Sequence, residues 1–85
     1  DLAAAAALLE TLLGTDAAGS RAAAEHFQRE MTRDPAFVQK AMGMRQVVTA
    51  GSREELRALL ADCFALDAAT SIAACDTVWT RFRGN

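Results

Sequence analysis

Ser52-Arg53-Glu54-Glu55-Leu56-Arg57-Ala58-Leu59-Leu60-Ala61-Asp62-Cys63-Phe64 is the stretch on which the fold turns. Ser52 and Glu55 have the capping-box spacing, in which each side chain satisfies the other's orphan backbone N–H. Behind this start signal, Leu56, Leu59, Leu60, Cys63 and Phe64 recur at helical intervals. That period gathers all of them on one face and predicts an α-helix with the face turned to a core.

Working outward, Asp67 predicts the cap of a further helix with a stripe of Ile72, Cys75, Trp79 and Phe82. Val78 lies alongside that stripe, and Gly84 ends the helix. Upstream, Asp34-Pro35 is a sharp start: the Asp side chain accepts from free N–H groups, and Pro at the first helical position loses no needed donor. The helix it opens presents Phe37, Val38, Ala41, Met42, Val47 and Val48 and ends by Gly51. Gly43 inside it costs about 1 kcal/mol relative to Ala and marks a bend, a close crossing or a break into two pieces.

The opening segment predicts a helix from Leu2 to Leu13 that stops at Gly14, with Leu2, Ala5, Leu9, Leu12 and Leu13 as its apolar positions. Thr15–Ser20 then reads as a loop, with Ser20 capping a helix that runs to about Thr32 behind Ala23, Ala24, Phe27 and Met31. No segment alternates with period two. The expected fold is all-α: one domain over residues 1–85, a compact bundle of about five short helices.

Composition narrows the function. Of the hydrophobic 52%, 20 residues are alanine, which buries little, and 22 are larger apolar side chains. Each of those contributes about 1.5–3 kcal/mol when buried, so the core is thin for a chain this short. A partner subunit or host domain is therefore expected. A formal charge of −2 with both signs interspersed lacks the basic face of a nucleic-acid binder. No run approaches the ~20 apolar residues of a membrane span, and no basic region precedes the apolar start as in a secretory signal. A cytoplasmic location is expected, and the missing initiator Met points to a processed or trimmed piece.

Candidate chemistry is sparse. In an antiparallel hairpin, Cys63 and Cys75 would be offset by roughly 9 Å, beyond the ~4.4–6.8 Å Cα spacing of a disulfide. Both fall on apolar stripes and read as reduced core thiols. His26 stands four residues from Glu30, which looks like a carboxylate–imidazole dyad but reads as an ordinary helix-surface pair. No ligand set for a metal clusters, and Glu54, Glu55, Asp62, Asp67 and Asp76 are spread over caps and solvent faces. No catalytic residue, no metal and no cofactor is expected, and the chain reads as a non-enzyme.

The functional expectation is a protein–protein interaction module or small subunit that docks through an apolar helix face, onto another protein or a second copy of itself. Its candidate partner-binding residues are Leu2, Leu8 and Leu9 of the first helix with Val78, Arg81, Phe82 and Arg83 of the last. Arg81 and Arg83 would sit on the rim and set orientation. One alternative is a helix-turn-helix regulator over Glu55–Phe82. Its second helix, however, has few donors before Arg81, where a recognition helix carries several near its start.

A further alternative rests on a resemblance. Ala24-Glu25-His26-Phe27 through Asp34-Pro35-Ala36-Phe37, then Ser52-Arg53-Glu54-Glu55-Leu56 and Phe64-Ala65-Leu66-Asp67, resembles Nif11-type leader domains of ribosomally synthesised peptide precursors. The matches cover roughly residues 22–70. Departures are the additional Met42–Thr49 segment, Cys63 where the family has Gly before Phe, and no following cleavage point with a modifiable core. The resemblance implies a module docked by a processing enzyme. Within the core, Leu60→Ala or Trp79→Ala is expected to destabilise by about 2–5 kcal/mol.

Overall fold

The computed structural model describes residues 1–84 and contains six helices: α1 (Leu2–Leu13), α2 (Ala17–Arg33), α3 (Pro35–Met42), α4 (Met44–Ala50), α5 (Arg53–Phe64) and α6 (Ala68–Arg83). No strand occurs among the described residues. The all-α expectation holds, and the break allowed at Gly43 is present, dividing the third expected helix into α3 and α4.

Local chemistry sets most boundaries. Asp1 caps α1 by accepting from the Ala3 N–H, and Gly14 closes it at φ 73°, a left-handed conformation that glycine adopts without strain. Asp34 serves two helices at once, donating its own N–H to the Glu30 carbonyl and accepting from the Ala36 N–H at 3.0 Å. At the head of α5, the Ser52 N–H donates to Glu55 Oε1 at 2.7 Å and the Glu55 N–H donates to Ser52 Oγ at 3.0 Å, so the capping box is complete. Asp67 accepts from the Thr70 N–H at 2.8 Å to start α6.

One boundary differs from expectation. The cap of α2 is Asp16, which accepts from the Gly19 N–H at 2.7 Å, and not Ser20. Ser20 is buried one turn inside the helix, its hydroxyl 2.6 Å from that of Thr15. Gly19 and Ser20 look like loop residues, but here glycine supplies a backbone donor and serine fits a close helix contact.

These caps carry charge and so respond to acid. Hydrogen bonds from Ser52 hold the Glu55 carboxyl below its ordinary 4.5, and those from Thr70 hold Asp67 below its ordinary 3.8. A carboxyl depressed by folding adds stability above its unfolded value, and that stability is lost as pH falls through the folded value. The melting temperature is therefore expected to drop once pH falls below about 4.5. A Glu55→Gln, Asp67→Asn double variant should show a shallower drop; an identical acid limb would remove these caps as its source.

The helices converge on α5, which buries Leu56, Leu59, Leu60, Cys63 and Phe64 as its stripe predicts. Leu13, Ala23, Phe37, Ala74, Cys75 and Val78 complete the core. An aromatic cluster joins α2, α3 and α5: Phe27 meets Phe37 edge-on at 5.6 Å and stacks on Phe64 at 5.5 Å. The radius of gyration, 11.9 Å, is what a folded chain of this length has, about 12 Å.

The last helix is rotated from its predicted stripe. Its buried residues are Ser71, Ala74, Cys75 and Val78, while Ile72 and Phe82 are more than half exposed. The inward positions are small, and the chain packs closely beside them: a Cβ added at Gly14 would lie 3.2 Å from the Thr77 hydroxyl, and Cys75 Sγ lies 3.5 Å from the Arg53 carbonyl of α5. Met42, expected on the apolar stripe, is 72% exposed, lying off the face that carries Phe37, Ala41 and Met44. No single helix among the described residues is long and apolar enough to cross a membrane.

Candidate functional site: an apolar groove between α1 and α4

α1 and α4 flank one groove without close backbone approach: no Cα of one comes within 8 Å of the other. Leu9 and Leu12 form the α1 side, Met44 and Val48 the α4 side, and Leu60, Phe64 and Val78 the floor, with Phe82 at one end. The cavity measures about 320 Å³ and its one charged lining residue is Arg45. A second apolar depression of about 300 Å³ adjoins it across Leu9, Met44 and Phe64, and adds Leu8, Ala24, Phe27 and Gln28. The two depressions lie side by side along α1, with Met44 of α4 lining both.

The predicted docking residues divide among several places. Leu9 and Phe82 line the main groove, and Leu8, 58% exposed, lines its neighbour. Val78 is a correction: it is 4% exposed and belongs to the core, its side chain closing the groove floor. Rotation of α6 toward α1 carries it inward. Leu2 is half-buried at the far end of α1 and Arg81 is exposed, and neither lines the groove.

Arg83 is the second correction. It is no free rim charge, because its guanidinium turns back onto the end of α4. Nε donates to the Val48 carbonyl at 2.8 Å, and Nη2 to those of Val47 at 3.2 Å and Gly51 at 2.5 Å. The same guanidinium lies 4.2 Å from the Trp79 ring, and that of Arg53 lies 4.7 Å from it. Trp79, expected in the core, is half-buried against it and capped by these two cations.

Leu12, Leu13, Leu60 and Phe64 line the groove from positions expected in the core, and the α4 residues Met44, Arg45, Val48 and Thr49 form a whole wall that sequence reasoning missed. Their signal was present as the helical spacing of Met44, Val47 and Val48. Read as one helix with Phe37, that stripe looks like core; the break at Gly43 leaves α4 with no fully buried residue.

The remaining candidates have structural partners. His26 Nε2 lies 3.2 Å from the Asp62 carbonyl and its ring meets Phe37 edge-on, while Glu30 pairs with Arg33 at 2.8 Å instead. Cys63 and Cys75 are both free and buried. Burial pushes the Cys63 thiol up to about 11 and raises Cys75 as well, so neither carries appreciable thiolate at neutral pH. No three potential metal ligands gather among the described residues. Asp34, Ser52, Glu55 and Asp67, which carry the resemblance to leader domains, act here as helix caps. No family model matches the chain, and neither a curated protein nor a solved structure is significantly similar to it.

Proposed function

We propose that this domain is a non-catalytic interaction module whose groove between α1 and α4 receives an amphipathic helix of another protein. The observation that carries this reading is the shape and chemistry of the groove: concave, about 320 Å³, lined by apolar side chains, with Arg45 as its single charge. Helix-in-groove docking uses apolar anchors one turn apart on one partner and a trough of this kind on the other. An acidic residue beside the anchors would meet Arg45 and set the direction of the bound helix. The expectation from sequence had this chain's own stripe filling a partner's groove; the concave surface favours the reverse arrangement.

The test is a titration of labelled amphipathic helical peptides, with acidic and with neutral polar faces, against the wild type and Val48→Glu. Saturable binding that survives high salt, shifts the resonances of Leu9, Met44 and Phe82, and is lost in Val48→Glu is the expected result. Binding insensitive to Val48→Glu, or none, would sink the reading. Light scattering over a concentration series identifies the remaining case, in which a second copy fills the groove.

One observation favours a second reading. The chain turns through 118° between α5 and α6, within the ~90–120° of helix-turn-helix units. Against it, the exposed residues along the first turns of α6 are Ala68, Ala69, Ile72, Ala73 and Asp76, with no cation before Arg81. DNA affinity falling steeply with salt would favour this reading over an apolar groove.

A further inference from the structure

We infer that α4 is a hinged wall of the groove, held shut by Arg83 and free to swing about Gly43 and Gly51. In its consequence for binding, the inference rests on the docking reading above. α4 has seven residues, buries none of them fully and lacks a side-chain cap at its start. A helix this short is not stable by itself, so its position depends on tertiary contacts. Glycine stands at each end.

The two glycines differ in what they contribute. A Cβ at Gly51 would lie 2.9 Å from the Val47 carbonyl oxygen, so the turn after α4 closes too tightly for any side chain. A Cβ at Gly43 would meet the Lys40 and Gln39 carbonyls at 3.5 and 3.9 Å, ordinary contacts, and the backbone there is right-handed at φ −83°. Gly43 is therefore not required by space or by sign of φ. What it contributes is freedom between α3 and α4.

The latch is the Arg83 fork. Nε and Nη2 of this one guanidinium from α6 donate to three carbonyls at and just beyond the end of α4: those of Val48 and Gly51, and that of Val47, which also accepts from the Gly51 N–H at 2.9 Å. Its plane is held against Trp79, which is itself packed on the core. With the fork released, Met44 and Val48 would lift away from Leu60, Phe64 and Val78, and the groove would widen into the core. An arriving apolar helix would replace the contacts that α4 gives up.

Amide hydrogen exchange on the whole chain tests this, comparing wild type with Arg83→Met, Arg83→Lys and Gly43→Ala. Losing charge-assisted bonds in Arg83→Met is expected to speed exchange across residues 44–51 by about tenfold or more, with α1, α2 and α5 little changed. Lys keeps the charge but not the fork and should fall between. Gly43→Ala removes hinge freedom without a clash and should slow exchange in α4 by about two- to fivefold. Uniform acceleration of all helices in Arg83→Met would overturn the inference, as would unchanged α4 exchange in both Arg83→Lys and Gly43→Ala. These two variants decide the matter should Arg83→Met fail to fold.

The same samples are titrated with anilinonaphthalene sulfonate as an apolar probe. Tighter binding in Arg83→Lys and weaker binding in Gly43→Ala is the expected pattern. Localised exchange effects with no probe binding to any variant would support the hinge while removing the docking reading.

Discussion

Phe37→Ala is expected to lower the unfolding free energy by about 3–5 kcal/mol, the range for removing a large aromatic from a core. The position is unusual in how much depends on it. Phe37 is the single buried residue of α3, and α4 contributes none. Its ring meets Phe27 at 5.6 Å and His26 at 5.9 Å, so it is the large side chain that seats α3 in the aromatic cluster, with Ala41 packed beside the core. Asp34 and Pro35 can still start the helix without it, but nothing large would seat it. Residues 35–51 should then lose exchange protection before the rest of the chain in the variant. A urea-determined loss below about 1 kcal/mol would mean that α3 is held elsewhere, through the exposed Lys40–Asp62 pair at 3.1 Å and the backbone, and that the cluster is ornamental.

Leu60→Ala is the second large effect, at about 2–5 kcal/mol. For 85 residues, total stability is on the order of 4–13 kcal/mol, so either variant removes a substantial share. Leu60 is 2% exposed yet forms part of the groove floor, so the space left by its truncation joins the existing cavity. Leu56 is fully buried and lines no groove, which makes Leu56→Ala the matched control. Both should destabilise; only Leu60→Ala should deepen the groove and tighten binding of a small apolar probe. Equal probe binding in the two variants would place Leu60 away from the surface that the proposed function uses. A loss below about 0.5 kcal/mol at either position would contradict the burial of the α5 stripe.

How much of this was legible before the fold was seen depends on the range of the interactions involved. Asp34-Pro35, the Ser52–Glu55 box, Asp67 and Gly14 each act within four residues, so the sequence alone placed the helix ends they control. The α5 stripe was equally legible because its apolar residues are large and the helix is surrounded. Asp16 was missed, since an Asp followed by Ala-Ala-Gly-Ser carries no apolar pattern to set the phase of the helix.

The groove residues came through only in part. Leu9, Val78 and Phe82 were expected at a docking surface and line the groove, but the burial of Val78, the inward turn of Arg83 and the α4 wall were not legible. Local sequence determined that this chain is a set of capped helices with α5 fit for a core. Tertiary structure decided which face of α6 turns inward, because its packing between α5 and α1 buries the small Ser71, Ala74 and Cys75 and leaves the larger Ile72 exposed. It also decided that Arg83 closes the end of α4, across 32 to 36 residues of chain. Helix capping is a matter of neighbours in sequence, whereas this groove exists only because two helices distant in sequence share a core without close backbone approach.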